Sequence, residues 1–344
     1  MISPVCPMAS RRFRIWEPIP DGVSSRSFQE AAGILKKAHQ PLIVLTGHGE
    51  QELVVAAVNL ASAISASLVR DNNTCENFTS AMQKAGLLSA TLADLRKRSD
   101  RVVILGDDPE ISLPRFWEFM GRGKKEKAVW ISARQIVESI QQLRLHDRGL
   151  KTSFDEDLKT AASRIGQASS GVVMINGGST LADVNALTEV LLWVKELGGA
   201  KKWYGQVLFP AANEIGISQA LRSTTGYSGG LSFRKGKISH DPRLFQLEKR
   251  IEYGETDAIL IIGDMNLVTK RILRKIVGIK SIVLSPEKPQ FHADAWLPCA
   301  RAGIDALGTM LRLDDIPVKL DPLVPSVQAT ARDFLVKLAH EVKA

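Results

Sequence analysis

Cysteine is scarce in this sequence: only Cys6, Cys75 and Cys299 occur in 344 residues. The three lie far apart, and no C-x-x-C pair is present. A disulfide framework needs paired cysteines, and a zinc or iron–sulfur site of the four-cysteine type needs four thiolates. Three scattered cysteines therefore exclude both kinds of site within this chain.

Long apolar runs and targeting signals are also missing. No stretch approaches the roughly 18 apolar residues of a membrane span, and the first residues lack the hydrophobic region of a signal peptide. We therefore expect a soluble, cytoplasmic protein with no membrane partner. The net charge is +8, but it is spread over short clusters, and no nucleic-acid recognition module appears. An anionic small molecule or an acidic partner protein fits this charge better than nucleic acid does.

The sequence is instead rich in one recurring unit, an apolar strand that ends in a glycine turn and is followed by a helix. Four such strands occur, at Pro41–Gly49, Arg101–Pro109, Gly171–Ser179 and Asp257–Asn266, with shorter apolar strands at Ala128–Ser132, Trp203–Phe209 and Ser281–Ser285. Continuous apolar strands that alternate with helices are typical of parallel sheets covered on both faces. We predict an α/β protein of two Rossmann-like lobes that divide near residues 146–156. The predicted parts are an extended arm over 1–25, lobes over 26–150 and 151–320, and a C-terminal helix over 321–344.

The ends of these strands matter because open parallel sheets bind ligands at their carboxyl ends. No G-x-G-x-x-G follows any strand, and the loops Thr46-Gly-His-Gly and Asn176-Gly-Gly-Ser are weak phosphate-binding candidates beside the alternative of simple turns. The loops Gly106-Asp-Asp-Pro and Gly263-Asp-Met-Asn place carboxylates where a pyrophosphate would need positive charge. The predicted lobes therefore have the strand and helix pattern of nucleotide-binding domains, but their loops are poorly suited to bind a nucleotide.

The stretch Phe291–Asp315 carries a short strand, Ala295–Pro298, followed by a small-residue segment with Gly303 and Gly308. Glycine permits close backbone approach and positive φ. The pattern predicts a strand and then a loop that closes over a crevice, with a tight turn at Gly308-Thr309.

The segment Asn213–Asp241 contains five glycines and shows no regular period, which predicts a long functional or interface loop. Its second half is basic through Arg234, Lys235, Lys237 and His240. It could grip an acidic ligand or dock a partner, and a solvated hairpin is the alternative.

No catalytic constellation emerges from the remaining residues. The six histidines form no H-x-x-x-H pair, although His48 lies between two glycines and His240 lies beside Asp241. Cys75, in NNTCENF, is a candidate loop thiol, with an inert cysteine as the alternative.

Several motifs together carry a resemblance to a known family. They are Asn213-x-x-Gly216-x-x-Gln219-x-Leu221, Thr225-Gly-Tyr227, the basic loop Phe233-Arg-Lys-Gly236, His240-Asp-Pro242, Gly106-Asp-Asp-Pro109, Ala293-Asp294, Ala302-Gly303 and Gly308-Thr309. In order and spacing these resemble the B subunit of formylmethanofuran dehydrogenase, a member of the molybdopterin oxidoreductase superfamily. They more closely resemble its counterpart in methylotrophic bacteria, the B subunit of the formyltransferase/hydrolase complex. The resemblance implies a molybdopterin-oxidoreductase-like fold, here without the iron–sulfur and C-terminal barrel domains.

The departures from the family pattern concern its cofactors. The first 40 residues offer only Cys6 for the cluster, and Cys75 near the metal-ligating position is followed by Glu76 and Asn77 instead of His and Gly. Serines stand where the family has acids that hold the guanine nucleotides of the pterin. We therefore expect a vestigial cleft, with no pterin, no iron–sulfur cluster, no metal and no catalytic residue in this chain. The cleft residues are Cys75, Gly106, Asp107, Asp108, Ser132, Gly263, Asp264, Ser285 and Gly308.

The resemblance implies a structural subunit of a complex that moves a formyl group from tetrahydromethanopterin to a methanofuran-type carrier and releases formate. Its partners would be an amidohydrolase-like subunit, a second scaffold subunit and a formyltransferase subunit. Arg234, Lys235, Lys237 and His240 would contact the carrier or a partner. One alternative is an active molybdo- or tungstopterin subunit of formylmethanofuran dehydrogenase. Another is a nucleotide-binding domain of the type found in thiamine-diphosphate enzymes.

Overall fold

The computed structural model describes residues 23–113, 115–132, 136–176, 183–209, 213–263, 274–276, 278–324 and 328–344. The chain forms two compact units. Unit one combines Met1–Asn73 with Ala211–Ala344, and unit two is Thr74–Pro210. Within the described ranges, no helix has both the length and the apolarity needed to cross a membrane.

The strands are short and mostly buried. They are β1 Pro41–Leu45, β2 Ser67–Arg70, β3 Arg101–Leu105, β4 Val129–Ile131, β5 Ser170–Asn176, β6 Lys202–Leu208, β7 Leu231–Ser232, β8 Ser239–His240, β9 Ala258–Ile262, β10 Lys280–Ser285, β11 Ala295–Pro298, β12 Gly308–Leu311 and β13 Pro317–Leu320. All eight strands predicted from apolar runs are present, which confirms the strand pattern. The four longer runs extend three or four residues beyond their strands; residues 177–179 and 264–266 of these runs lie outside the described ranges.

The helices lie between these strands, as the α/β pattern predicts. They are α1 Val23–Lys37, α2 Leu53–Ala63, α3 Thr74–Ala85, α4 Leu92–Arg98, α5 Pro109–Ser112, α6 Phe116–Met120, α7 Arg122–Glu126, α8 Ile136–Asp147, α9 Glu156–Gly166, α10 Val184–Ala200, α11 Glu214–Thr225, α12 Leu247–Glu252 and α13 Ala331–Glu341. Of the predicted C-terminal helix over 321–344, residues 331–341 form α13, whose start is fixed by a capping box between Thr330 and Asp333.

Unit one is organised around a seven-stranded sheet in the order β11-β10-β9-β1-β2-β7-β8. The first five strands in this order are parallel, and β7 and β8 extend the sheet as an antiparallel edge. Alternate residues of β1 point to opposite faces. Ile43 and Leu45 pack under α1, α2, α11 and α13, while Leu42 and Val44 pack with Ile276 and Leu247 of the other face. The sheet is therefore covered on both sides, as its apolar strands predict.

Unit two contains a four-stranded parallel sheet in the order β4-β3-β5-β6. Its largest buried side chains are Trp117, Trp193 and Trp203. The Trp203 ring lies over its cross-strand partner Gly171, where an added Cβ would stand 2.5 Å from the ring. Glycine at 171 is therefore required by the tryptophan on the neighbouring strand.

The predicted division of the chain near residues 146–156 is wrong. Strand β1 takes β2 on one edge and β9 on the other, so strands from both ends of the chain share one sheet. Residues 101–109 and 171–179, which the predicted division places in separate lobes, supply the neighbouring strands β3 and β5. Unit two is therefore an insertion into unit one. Strand spacing could not reveal this, because β1 and β9 are more than 200 residues apart and pair only in the folded chain.

The long loop predicted over 213–241 also needs correction. Residues 214–225 form α11, because Ile217 and Leu221 stack four residues apart on its buried side. Gly226, with φ of 87°, ends the helix in the left-handed conformation. Glycines that suggested an irregular loop therefore include a helix terminator.

The tight turn predicted at Gly308-Thr309 is wrong as well. Both residues lie in β12, which pairs antiparallel with β13. The close approach expected at Gly308 is present. Of the predicted arm, residues 1–22 lie outside the described ranges, and residues 23–25 begin α1.

Candidate functional site

A cavity of about 180 Å³ lies in unit one at the carboxyl ends of β9 and β10. This is the edge at which open parallel sheets bind ligands. The wall is mainly apolar and comes from strand ends, from the segment after β11 and from the start of α13. Its lining residues are His48, Gly49, Glu50, Leu53, Ile262, Gly263, Leu284, Pro286, Cys299, Ala300, Arg301, Ala302, Ile304, Met310 and Ala331.

Glu50 is the buried acid of this cavity, with only 6% of its surface exposed. Burial raises its pKa, and the charges of Glu52 and Asp333 raise it further. Backbone N–H groups, including that of Arg332 near the start of α13, oppose this rise. The Oε1 atom has no hydrogen-bond partner among the described residues, and Glu50 forms no ion pair there. The Glu50 side chain, which lines the cavity, therefore carries a buried acceptor that the described residues do not satisfy.

The other polar groups on the wall are differently placed. The Cys299 side chain is buried, and desolvation followed by the charge of Glu50 raises its pKa far above the usual range of a thiol. Such a thiol stays protonated and is a poor nucleophile. The Arg301 guanidinium pairs with Glu287, at 2.9 Å between Nη2 and Oε1. Arg301 therefore already has a carboxylate partner, while Glu50 has no cation among the described residues.

Asn213 fixes the polar framework beside this cavity. Its Nδ2 donates to Gly49 O at 2.7 Å, and its Oδ1 accepts from Leu311 N at 2.8 Å. Its own backbone N–H donates to Gly47 O at 2.9 Å. An added Cβ on Gly216 would stand 2.0 Å from Asn213 Oδ1. The Asn213-x-x-Gly216 motif is thus a structural tie in which the glycine makes room for the asparagine.

Two predicted cleft glycines lie around this end of unit one. Gly263 follows β9 with φ of 113°, and an added Cβ would stand 2.6 Å from His48 O. Gly308 lies against Glu50, since its added Cβ would stand 2.8 Å from Glu50 Cβ. Both glycines therefore allow close packing that a side chain would prevent.

A predicted cleft serine lies at the same end of the sheet. Ser285 ends β10, is fully buried, and donates from Oγ to Glu287 O at 2.6 Å. Its hydroxyl is thus used within the chain. Asp264 lies outside the described residues.

Four further cleft residues lie at strand ends in unit two. Gly106 N, after β3, donates to Ile131 O at 3.1 Å, which brings the ends of β3 and β4 together. Asp107 and Asp108 follow Gly106, and Ser132 is exposed after β4.

Asp108 is the most constrained of these four residues. Its carboxylate caps α5, accepts from Glu110 N at 3.0 Å and accepts from Trp117 Nε1 at 3.2 Å. Desolvation raises the pKa of Asp108, but these hydrogen bonds and Lys125 outweigh it and lower the pKa overall. The carboxylate therefore stabilises the turn after β3 instead of facing an open site.

The sequence context of Cys75 suggested a loop position, but the residue lies in a helix. It is the second residue of α3 and is buried, with 3% of its surface exposed. It belongs to unit two, whereas the other described cysteine, Cys299, belongs to unit one. A buried cysteine in a helix is more consistent with the inert alternative than with an exposed reactive thiol.

The basic segment forms the edge hairpin β7–β8, with a 3-10 turn at Arg234–Gly236. Arg234 and Lys237 are exposed, and Lys235 lies between them in the turn. The His240 ring stacks on Tyr227 at 4.3 Å between centroids, and its Nδ1 lies 2.9 Å from Gly229 O. The hairpin alternative is therefore right in form. The two exposed cations are placed to meet an acidic surface, while His240 is held within the hairpin.

A buried charged cluster at the end of β2 was not singled out from the sequence. Arg70 and Glu214 are both almost fully buried, and Arg70 Nη2 lies 3.9 Å from Glu214 Oε1. Burial raises the pKa of the adjacent Asp71 to about 6, with Arg70 lowering it and Glu214 raising it. Glu50 was also missed as a site residue. The sequence signal of Arg70, Asp71 and Glu50 is only a charged residue at the end of an apolar strand or shortly beyond it.

The family resemblance implies a pterin dinucleotide and an iron–sulfur cluster, and the described residues do not fit either group. Around the unit-one cavity, the buried carboxylate of Glu50 would repel a pyrophosphate. In unit two, Asp108 already caps the short helix after β3. The two described cysteines are buried in separate units. Throughout the described ranges, no group of three or more His, Cys, Asp or Glu side chains could hold a metal ion.

Comparison with known proteins agrees with the predicted resemblance, although no family model matches the chain. The chain is 23% identical to the B subunit of the tungsten-containing formylmethanofuran dehydrogenase 2 of Methanocaldococcus jannaschii, covering 92% of this chain and 83% of that protein. The corresponding protein of Methanococcus maripaludis is 21% identical with the same coverage.

Among solved structures, a chain of the formyltransferase/hydrolase complex of Methylorubrum extorquens, crystallised with methylofuran, matches with a TM-score of 0.77. That match covers 95% of this chain and 98% of the other at 18% identity. The resemblance to the B subunit is thus confirmed over nearly the whole chain, as is the α/β fold with parallel sheets flanked by helices.

Proposed function

We propose that this chain is a non-redox structural subunit of a formyltransferase/hydrolase complex. The observation that carries the proposal is the match in fold to a chain of such a complex over 95% of this sequence. A match in fold along almost the whole chain supports a role for this chain like that of the matched component. The coverage of 98% of the matched chain means that little of that chain lacks a counterpart here.

The non-redox role rests on the groups at the strand ends. A pterin dinucleotide brings phosphates, which need cations or free N–H donors. Here the buried acid Glu50 lines the cavity of unit one, and Asp108 occupies the start of α5 in unit two. An iron–sulfur cluster needs about four thiolates, and the sequence has 3 cysteines in all. These features support a fold that is used as a scaffold without the cofactor.

In this proposal the chemistry belongs to the partner subunits. A formyltransferase subunit would pass the formyl group from tetrahydromethanopterin to a methanofuran-type carrier, and an amidohydrolase-like subunit would release formate. A further partner would be a second scaffold. This chain would hold those subunits together and carry no catalytic residue.

A second candidate is an active tungsto- or molybdopterin subunit. It is favoured by the names of the two relatives, both of which are tungsten-containing enzymes. The two candidates make opposite predictions about metal content.

The deciding experiment is purification of the tagged chain from its native cells, followed by mass spectrometry of the copurified proteins and elemental analysis. We expect subunits of the amidohydrolase and formyltransferase types in fixed ratio, with tungsten and molybdenum far below one atom per chain. Stoichiometric tungsten or molybdenum would overturn the non-redox role. Isolation of the chain without either partner would overturn the scaffold role.

The basic hairpin supports a more specific role, contact with the carrier or with an acidic partner surface. Arg234 and Lys237 are exposed at its tip, with Lys235 between them. Replacing Arg234, Lys235 and Lys237 by glutamate should raise the KM of the purified complex for the carrier, because steering by exposed charge acts on encounter. The matched control is Lys337→Glu on α13, an exposed lysine of the same unit outside the hairpin. An unchanged KM in an intact complex would remove the carrier role, and loss of a partner from the complex would assign the hairpin to that partner.

A further inference from the structure

The cavity of unit one has the size of a small-molecule site. Its volume of about 180 Å³ slightly exceeds the roughly 150 Å³ of an engineered cavity that binds benzene. One aromatic or alicyclic ring with one or two further atoms therefore fits. A nucleotide does not fit a space of this size.

The wall selects for an apolar body. Leu53, Ile262, Leu284, Ile304 and Met310 contribute hydrophobic side chains, and Ala300, Ala302 and Ala331 leave the space between them. Burying a ring against these groups is favourable through the hydrophobic effect.

The Glu50 side chain, which lines this cavity, sets the polarity of the ligand. Glu50 is almost fully buried, and its Oε1 has no hydrogen-bond partner among the described residues. The charges that raise its pKa are the acids Glu52 and Asp333, and the Arg301 guanidinium on the same wall is held by Glu287. A buried carboxylate in this setting is costly unless a cation or a strong donor reaches it. A ligand with an ammonium group would supply both the positive charge and the N–H donor.

We propose that this cavity is a binding site for a compact apolar amine, whose ring fills the space beside Met310 and whose ammonium group pairs with the carboxylate of Glu50. An anion of the same size is rejected, because Glu50 would repel it. This site does not depend on the partner subunits proposed above, and it can be tested on the full chain by itself.

The test is a set of binding measurements on the purified full chain with three probes of one ring size: benzylamine, toluene and benzoate. Isothermal titration calorimetry or ligand-observed NMR gives the Kd for each. We expect benzylamine to bind at least about tenfold more tightly than toluene, which corresponds to the strength of one charge-assisted hydrogen bond. Benzoate should show no binding. Equal binding of benzylamine and toluene, or preferred binding of benzoate, would overturn the proposal.

Two variants locate the site. Glu50→Gln should remove the preference for benzylamine over toluene while keeping the ring space. Met310→Trp should fill that space and abolish binding of both. Val318→Trp is the matched control for bulk, because Val318 pairs with Met310 across the β12–β13 hairpin and does not line the cavity. It should bind benzylamine as the natural chain does. Retained binding in Met310→Trp would refute the proposed position, and the probe series on the natural chain decides the chemistry even if a variant fails to fold.

Discussion

A double-mutant cycle at Asn213 and Gly216 tests the tie that joins the β1 loop, α11 and β12. Gly216→Ala places a methyl group 2.0 Å from Asn213 Oδ1 in the present geometry. No van der Waals contact is that short, so the asparagine side chain must move away. When it moves, it loses the bonds to Gly49 O and Leu311 N.

The magnitude follows from these two bonds. Leaving a buried donor or acceptor unpaired costs about 1–3 kcal/mol each, while alanine gains about 1 kcal/mol over glycine as a helix former. We therefore expect Gly216→Ala to lower the free energy of unfolding by about 3 kcal/mol. Asn213→Ala should lower it by a similar amount, because the same two groups lose their partner.

The double variant is the decisive member of the cycle. Once Asn213 is alanine, the obstruction to the methyl group at 216 is gone, and Gly216→Ala should be neutral or stabilise by up to about 1 kcal/mol. The double variant should thus be about 3 kcal/mol more stable than the sum of the two single losses would give. Urea denaturation followed by circular dichroism gives the free energies, and hydrogen exchange of peptides from α11 shows whether the loss is local. Additive effects of the two substitutions would refute the tie.

Three further outcomes are expected. Burial raises the pKa of Asp71 to about 6, so the folded state binds the proton of this group more tightly than the unfolded state does. The stability that Asp71 contributes is therefore present at low pH and falls as the pH rises from about 4 to 6. Asp71→Asn should flatten that part of the pH profile of the urea midpoint. Gly263→Ala should destabilise unit one by more than about 2 kcal/mol, because the φ of 113° at this glycine and the contact with His48 O leave no room for a side chain. A urea midpoint within error of that of the natural chain would contradict this. Asp108→Ala should cost about 1 kcal/mol in thermal or urea unfolding, through loss of a helix cap and of the Trp117 indole partner, and Asp107→Ala, at a neighbouring position that is not the cap, is its matched control.

Strand positions and family resemblance were readable from the residues alone. Runs such as PLIVL, VVIL and AILII are continuous and apolar, which favours a strand buried on both faces. The resemblance to the B subunit followed from short motifs in a fixed order, and motif order does not depend on how the sheets assemble. The basic character of residues 234–237 was also visible directly, because charge is a property of the residues themselves.

Sheet membership and side-chain partners, in contrast, come from the folded chain. The pairing of β1 with β9 and the resulting insertion of unit two depend on contacts between residues more than 200 positions apart. The same is true of Glu50, which is an ordinary acid after a strand until the segments around Cys299, Met310 and Ala331 remove it from water. Burial and partner choice are set by the packing of distant segments, so no local pattern could have distinguished this glutamate from an exposed one.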